Sequence, residues 1–314
     1  MKILLAGKDG QVGWELQRTL APLGEVVAVD RQAMNLADPD SIRKAVREIE
    51  PSLIVNAAAY TAVDKAESEP DLAMAINGTA PGIMAEEAKK RNAAIIHYST
   101  DYVFDGTKGT SAHPSPLTPH ASLLTPYTEE DVPSPLNVYG QTKLAGEQAV
   151  QASGAPHLIL RTSWVYGARG KNFLLTMLRL AKEREELKIV DDQIGAPTWS
   201  RMIAEATAQI LAQCISPLTP HPSLFTECTG TYHLTNAGQT SWFGFAQAIL
   251  ESASRLTPHA SPNLIPIPTA EYPLPARRPQ NSLLSNEKLH RSFGIALPSW
   301  DESLRLCLAE VSGI

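Results

Sequence analysis

Two side chains with acid–base chemistry, Tyr139 and Lys143, lie four residues apart. If this segment is helical, both project from the same face. A nearby ammonium favours the phenolate, so the phenol becomes a usable proton donor near neutral pH. Tyr and Lys at this spacing are also common on a solvated helix face, so the pair predicts catalysis only beside a cofactor cleft.

A candidate hydroxyl partner precedes this pair in the run Ser99-Thr100-Asp101. The residues before it, 94–98, are typical of a buried strand. Open α/β sheets place their ligands at the carboxyl ends of such strands. A Ser or Thr hydroxyl there could hold a substrate oxygen beside Tyr139.

A nucleotide-binding pattern opens the chain. Residues 2–6 are apolar, as in a buried parallel strand, and lead into a turn with Gly7, Gly10 and Gly13. A pattern with helical spacing follows. Glycines at a strand-to-helix turn let backbone amides approach a pyrophosphate, which sits at the helix N-terminus. The placement predicts a dinucleotide site.

The nature of the dinucleotide stays open. The second predicted strand, 26–29, ends at Asp30-Arg31. An acidic residue here commonly binds the adenosine ribose, whereas an adjacent Arg suits a 2′-phosphate. The alternative is a capping Asp beside a surface Arg. NADH and NADPH both remain candidates.

Composition favours a cytoplasmic enzyme that uses neither nucleic acid nor a membrane. The chain has 314 residues and a net charge of −6, and no apolar run is long enough to span a bilayer. The three cysteines, Cys214, Cys228 and Cys307, show no ligand spacing. We expect them to be reduced structural thiols.

Strand-like runs alternate with helical patterns; they cover residues 2–6, 26–29, 53–59, 94–98 and 158–162. The alternation predicts an α/β fold, a Rossmann-like doubly wound parallel sheet with a smaller, discontinuous C-terminal substrate-binding lobe. We expect the nucleotide-binding domain over 1–165, with return segments near 200–215 and 230–250. The lobe is expected over 166–200 and 260–314.

Three segments interrupt this pattern. Leu-Thr-Pro-His occurs three times, inside Pro- and Ser-rich stretches near 111–125, 215–228 and 254–262. We expect loop insertions without a catalytic role, because added surface-loop length costs little stability. A zinc site is disfavoured by the absence of regular ligand spacing; the histidines concerned are His113, His120, His221 and His259.

Outside these insertions the chain resembles the dTDP-4-dehydrorhamnose reductases, a family of the extended short-chain dehydrogenase/reductase superfamily. The resemblance covers nearly the whole length. The segments that carry it are GKDGQVGWELQ, VNAAAYTAVDKAE, HYSTDYVFDG, PLNVYGQTKLAGE, RTSWVYG, DDQIGAPT and PARRPQNSLL. RTSWVYG and PARRPQNS favour this family over sugar-nucleotide epimerases in general.

The resemblance implies reduction of the C4 ketone of dTDP-4-dehydro-L-rhamnose to dTDP-L-rhamnose with NADPH or NADH. It makes Tyr139 the general acid and has Lys143 hold the nicotinamide ribose. Thr100 would contact the carbonyl oxygen, with Asp101 beside the sugar. The protein would be a monomer or a homodimer.

The resemblance also implies sets of binding residues. For the cofactor they are Gly7, Gly10, Gln11, Val12, Gly13, Asp30, Arg31, Ala59, Tyr60, Thr61, Tyr98, Tyr139 and Lys143. For the substrate they are Thr100, Asp101, Trp164, Asn172 and Arg277, with Arg161 and Arg278 as further candidates for the diphosphate. Core packing is the alternative for Trp164, and a solvated basic pair for Arg277-Arg278.

Three alternatives stay open. An epimerase or 4,6-dehydratase of the same superfamily is disfavoured, because the Asp-Glu pair expected of a dehydratase is absent after Thr100. A non-catalytic regulatory subunit of methionine adenosyltransferase would not need the full reactive set. The third open point is a bound Mg²⁺ ion. Glu15 alone does not support such a metal site, and a surface charge on a helix explains that residue.

Overall fold

Strands and helices alternate along the chain, as the sequence predicts. A computed structural model describes residues 1–109, 124–215, 225, 227–256 and 262–311. The Leu-Thr-Pro-His segments and the four histidines beside them lie outside the described residues, apart from the backbone of Leu256.

The strands are β1 Lys2–Ala6, β2 Glu25–Val29, β3 Leu53–Asn56, β4 Ala94–Thr100, β5 His157–Thr162, β6 Val165–Tyr166, β7 Glu186–Val190, β8 Ile194–Gly195, β9 Thr198–Trp199, β10 Gly230–His233, β11 Thr240–Ser241 and β12 Asn263–Ile267. The α-helices are α1 Gln11–Thr19, α2 Pro39–Ile49, α3 Val63–Ala66, α4 Pro70–Met74, α5 Ala80–Lys90, α6 Val138–Ala152, α7 Phe173–Glu183, α8 Ser200–Cys214, α9 Trp242–Leu256, α10 Glu287–Phe293 and α11 Trp300–Leu308. A π-helical turn, Ala75–Thr79, joins α4 to α5.

Six strands form one parallel sheet in the order β10-β5-β4-β3-β1-β2. The strand order reverses between β1 and β3, which creates a crevice at their carboxyl ends. Such switch points are the usual ligand sites of doubly wound sheets. The predicted return of a strand near 231–234 to this sheet is confirmed by the pairing of β10 with β5.

Both faces of the sheet are covered, because its central strands alternate apolar side chains to each side. Ile3 and Leu5 pack with α1 and α8, whereas Leu4 packs with α2 and α5. The same alternation places Ile96 and Tyr98 of β4 on the α8 side. The intervening residues therefore face α5 and α6.

A separate apolar cluster forms the smaller lobe, with side chains from α7, β7, α9 and α11. This packing differs from the predicted division of the chain in two places. Helix α9 packs in the smaller lobe, although it begins within the segment 230–250 that the sequence predicts to return to the larger domain. Leu289 and Phe293 of α10 pack against the large sheet, although the sequence predicts that 260–314 belongs to the lobe.

Candidate active site

The glycine turn after β1 brings backbone amides to the crevice. A side-chain carbon on Gly13 would lie 2.0 Å from the Gly7 carbonyl oxygen, so the turn can close only with glycine there. Gly7 itself has φ of +85° and touches the backbone of Ala58 after β3. Helix α1 begins at Gln11 with no side-chain cap on its first amides, so its N-terminus can receive a phosphate.

A pocket of about 430 Å³ opens beside this turn, at the carboxyl ends of β1, β2 and β3. Its volume is in the range of small-molecule sites. Seven of the predicted cofactor residues line it: Gly7, Gly10, Asp30, Arg31, Ala59, Tyr60 and Thr61.

Asp30 is already engaged within this pocket. Its carboxylate accepts the backbone amides of Gln32 and Ala33 and lies 2.8 Å from the Lys8 ammonium. Lys8 and those amides lower the pKa of Asp30 to about 2. Arg31 is exposed and has no ion pair among the described residues. Both expectations for Asp30 thus have support, since it caps a turn and also lines the pocket.

Asn77 fixes the loop that follows β3, and sequence reasoning missed it. Its side chain bonds both the N–H and the C=O of Tyr60, at 2.8 and 3.0 Å. The same amide nitrogen donates to Thr142 of α6 at 3.2 Å. Asn77 thereby connects the loop after β3 to α6, the helix that carries Tyr139 and Lys143. The signal was an Asn inside a helix, but its partners lie far away in sequence.

Tyr139 and Lys143 lie on α6, as predicted. Asn137 caps the helix by accepting the Gly140 amide at 2.8 Å. Gly140 is required because a side-chain carbon there would lie 2.2 Å from the Tyr102 carbonyl oxygen. This close approach also sets the Tyr102 ring edge-on to Tyr139, with centroids 5.6 Å apart.

Thr100 ends β4 beside Tyr139, as predicted. Its hydroxyl donates to Asp101 at 3.0 Å and lies near enough to the Tyr139 phenol to lower the pKa of that group. Thr100 also accepts the Tyr102 amide, which turns the chain into a short 3₁₀ helix. The second oxygen of Asp101 is buried with no hydrogen-bond partner in the described part of the chain.

Burial shifts all these groups towards their neutral forms. It raises the pKa of Tyr139 to about 12, partly offset by the Thr100 hydroxyl. It raises the pKa of Asp101 to about 6, with the hydroxyls of Ser282 and Thr100 partly offsetting it. Tyr139 is therefore protonated at neutral pH and can act as a proton donor.

Lys143 is buried, and its surroundings correct part of the sequence interpretation. Its ammonium nitrogen donates to the Tyr98 carbonyl oxygen at 2.6 Å and lies 3.5 Å from His97 Nε2. Burial lowers the pKa of Lys143 to about 8, and Glu147 opposes this. The pKa of Tyr139 is shifted by burial, by Thr100 and by Asp101, and Lys143 is not among the causes. The expected electrostatic action of Lys143 on the phenol therefore stays a prediction.

Tyr98 faces away from the cofactor pocket, contrary to the expectation that it would contact the dinucleotide. Its hydroxyl bonds Thr207 of α8 at 2.7 Å, inside the apolar cluster on that side of the sheet. Only its carbonyl oxygen reaches the site, through Lys143. The alternation of side chains along β4 is the physical reason.

A second pocket, of about 750 Å³, lies between the sheet edge and the smaller lobe. Tyr102, Trp242 and Gln193 line it together with three cationic residues, Lys188, Arg277 and Arg278. Lys188 and Arg277 have no ion pair among the described residues. Sequence reasoning missed Lys188, because alternation along β7 gave no reason to single it out.

Residues 275–278, the PARR segment, are held over this pocket by two sets of contacts. Arg278 makes a two-pronged ion pair with Asp64 of α3, at 3.0 and 2.7 Å. Asn137 donates to the Arg277 carbonyl oxygen at 2.7 Å. Of the two neighbouring guanidinium groups, that of Arg278 is therefore paired, whereas that of Arg277 has no ion pair among the described residues.

The remaining predicted residues have mainly structural contacts. Arg161 pairs with buried Glu147 at 2.9 and 2.7 Å, which argues against the expected role as a diphosphate ligand. Asn172 caps α7 and donates to Gln11 and to two carbonyl oxygens, so it is already saturated. Trp164 stacks on Trp242 with centroids 3.6 Å apart.

Trp164 nevertheless has a backbone feature that argues against mere packing. Its φ is +48°, in the left-handed region that bulky residues rarely adopt. Such strain clusters at ligand sites, where the surrounding structure enforces it. The Trp164–Trp242 stack extends to the wall of the larger pocket through Trp242.

The family model described as the RmlD substrate binding domain matches residues 1–312. The dTDP-4-dehydrorhamnose reductase of Burkholderia thailandensis is 50% identical over 315 residues, covering 99% of this chain and 99% of that protein. The chain belongs to the dTDP-4-dehydrorhamnose reductase family. The enzyme of the same name from Escherichia coli K12 is 46% identical, covering 99% of this chain and 98% of that protein.

Solved structures agree with this family and fold. The dTDP-4-dehydrorhamnose reductase of Bacillus anthracis, in complex with NADP, is 34% identical with a TM-score of 0.84, covering 98% of this chain and 99% of that one. UDP-glucose 4-epimerase from Thermus thermophilus, in complex with NAD, shares the fold at 20% identity and a TM-score of 0.77, covering 100% of this chain and 99% of that one. The resemblance and the fold class inferred from the sequence are confirmed.

Two further features bear on metals and membranes. Glu15 of α1 is engaged by Arg201, at 3.3 Å. Within the described residues no group of three or more His, Cys, Asp or Glu side chains could hold a metal ion. None of the helices described is long and apolar enough to cross a membrane.

Proposed function

We propose that the chain reduces the C4 ketone of dTDP-4-dehydro-L-rhamnose, with NADPH as the preferred hydride donor. The observation that supports this is the pair of hydroxyls of Thr100 and Tyr139, which stand where β4 and α6 meet, with Lys143 behind them. Membership of the family supports the substrate class. The assignment of individual site residues is part of the proposal.

The protein's own groups perform the polar half of the reduction. Thr100 and Tyr139 hydrogen-bond to the ketone oxygen, and Tyr139 donates its proton as negative charge develops on that oxygen. A pKa of about 12 keeps that proton in place until the oxygen becomes basic. The nicotinamide supplies the hydride when bound, which forms the C–H bond as the carbonyl π bond breaks.

The residues present fit a dinucleotide. The glycine turn leaves room that a side chain would fill, and the α1 N-terminus offers free amides to the pyrophosphate. Asp30 is paired with Lys8, whereas Arg31, which lines the same pocket, brings a positive charge with no ion pair among the described residues. This charge favours a 2′-phosphate and hence NADPH.

The larger pocket suits a sugar nucleotide diphosphate. Lys188 and Arg277 supply cationic side chains without partners in the described structure, and a guanidinium binds phosphate oxygens bidentately. The Trp164–Trp242 stack provides a flat apolar wall for the sugar. We therefore expect Arg277 to bind the diphosphate and Trp164 to lie beside the sugar.

The test is direct. Purified protein is mixed with NADPH or NADH and the 4-keto sugar nucleotide, and absorbance of the reduced nicotinamide is followed. Substrate-dependent oxidation is expected, faster with NADPH. Cofactor binding without oxidation would instead favour the non-catalytic binding role. Light scattering on the same sample would decide between the predicted monomer and homodimer.

A further inference from the structure

A buried polar chain lies behind Lys143 and has no place in the proposed reaction. Asn56 ends β3 and pairs in register with His97 of β4. Asn56 Nδ2 lies 3.1 Å from His97 Nδ1, and His97 Nε2 lies 3.5 Å from Lys143 Nζ. The relative exposures of the three residues are 0, 0 and 2%. Buried polar chains of this kind have defined proton positions, because each unsatisfied group is costly.

The backbone fixes the direction of this chain. The Ala58 amide donates to Asn56 Oδ1 at 3.2 Å, so the amide oxygen faces Ala58 and the amide nitrogen faces His97. An amide nitrogen can only donate, hence His97 Nδ1 accepts. Burial and the charge of Lys143 hold the pKa of His97 well below its usual range, so the ring is neutral. Its single proton is therefore on Nε2, facing Lys143.

This proton conflicts with an ammonium at Lys143. An ammonium nitrogen has three donors and no lone pair, so it cannot accept from His97 Nε2–H. A neutral amine can accept from His97 while it donates to the Tyr98 carbonyl oxygen. The buried chain therefore favours the amine.

The other charged groups around Lys143 do not reverse this preference. Glu147, one turn along α6, favours the ammonium, but its carboxylate is paired with Arg161 of β5. On the substrate side lie Tyr139, whose phenol is neutral, and Asp101, which is not among the groups that shift the pKa of Lys143. The donor at His97 Nε2 can therefore set the protonation of Lys143.

We propose that Asn56 and His97 are positioning residues that direct an N–H at Lys143 and so keep its amine and ammonium forms close in free energy. This inference deepens the proposed function, since it concerns the lysine of the same site. The protonation of Lys143 would then respond to ligands that enter with negative charge, rather than staying fixed.

Asn56→Asp tests the direction of the hydrogen bonds along the buried polar chain, with almost no change in the shape of the side chain. A carboxylate at 56 can still accept the Ala58 amide, but it also accepts from His97 Nδ1, which moves the ring proton away from Lys143. His97 Nε2 then offers a lone pair to an ammonium. We expect the titration midpoint of Lys143, followed by NMR of ¹³Cε-labelled lysine in the free protein, to rise by one pH unit or more. That rise is a tenfold gain in proton affinity.

A second readout and two controls complete the experiment. Imidazole ¹⁵N shifts should report Nε2–H for His97 in the parent protein and Nδ1–H in Asn56→Asp. The double variant Asn56→Asp/His97→Leu should show less than a third of the midpoint rise, because the effect passes through the ring. Asn236→Asp adds a carboxylate at another buried Asn and should leave Lys143 unchanged.

Three results would overturn the proposal. They are an Nδ1–H tautomer in the parent protein, an unchanged Lys143 midpoint in Asn56→Asp, or a full rise without the ring, which would mean simple attraction by the new carboxylate. None of these measurements needs turnover. Failure of the reductase assay and failure of this proposal are therefore distinguishable.

Discussion

Arg161→Met should destabilise the fold rather than weaken substrate binding. Arg161 is 4% exposed and bonds the carboxylate of Glu147, which is 1% exposed, through two nitrogens at 2.9 and 2.7 Å. Its third nitrogen is buried without a hydrogen-bond partner among the described residues. Removing the guanidinium leaves a carboxylate out of water with no counter-ion.

The expected magnitude follows from that burial. Breaking one side of a buried ion pair costs about 3–5 kcal/mol. With an m-value of roughly 3 kcal/mol per molar urea, the unfolding midpoint should fall by about 1 to 1.7 M. Circular dichroism during urea titration at pH 7 measures this shift, and kinetics below the transition measure KM for the sugar nucleotide.

Two variants serve as controls. Arg179 pairs with Glu183 at 2.7 Å, but both side chains are exposed, so Arg179→Met should change stability by about 1 kcal/mol or less. Arg161→Met combined with Glu147→Leu removes both buried charges and should recover most of the lost stability. If Arg161→Met is as stable as Arg179→Met and raises KM instead, the structural assignment is refuted and Arg161 returns as a phosphate ligand.

The remaining predictions concern the site itself. Tyr139→Phe should lower kcat at least ~100-fold with little change in cofactor affinity, measured by steady-state kinetics and cofactor titration. Arg277→Met should raise KM for the sugar nucleotide ~10-fold or more with kcat retained, since a phosphate contact made equally in ground and transition states is lost. Arg31→Ala should raise KM for NADPH but not for NADH; an equal effect on both would contradict a 2′-phosphate contact. Native Asp101 keeps its proton up to about pH 6 whereas an unfolded Asp loses it near 4, so stability falls as pH rises through that window. Asp101→Asn should therefore gain about 2–3 kcal/mol in unfolding free energy relative to the parent protein between pH 4 and pH 7, and a constant difference in urea titrations would refute this.

Local patterns were sufficient for the parts of the site built on one element. The helical spacing of Tyr139 and Lys143 predicted a shared face, and the apolar run before Thr100 predicted its place at a strand end. The glycine turn was recognisable because its geometry is local. Each of these predictions needs only the period of one helix or strand.

Contacts across elements were not predictable in the same way. Neighbouring side chains of β4 must face opposite sides of the sheet, so one of His97 and Tyr98 had to face α6. The sequence could not show which one, because both faces of a buried parallel sheet are apolar. Arg161 presents the same problem, since its partner Glu147 lies on a helix that precedes the strand. Residue type alone does not distinguish a guanidinium that is available to bind phosphate from one that is already paired with a carboxylate.

The site is best understood through the direction in which burial moves its ionisable groups. Burial raises the pKa values of Tyr139 and Asp101, to about 12 and about 6, and lowers that of Lys143 to about 8. Each shift favours the uncharged form, and His97 follows the same rule. A dry site with few fixed charges strengthens every interaction with charge that arrives on a ligand or develops on the ketone oxygen. Since the Thr100 hydroxyl is already oriented by Asp101 and by the Tyr102 amide, an incoming oxygen meets an oriented partner and needs little reorganisation. We therefore expect the neutral hydroxyls of Thr100 and Tyr139 to act as the proton-delivering unit.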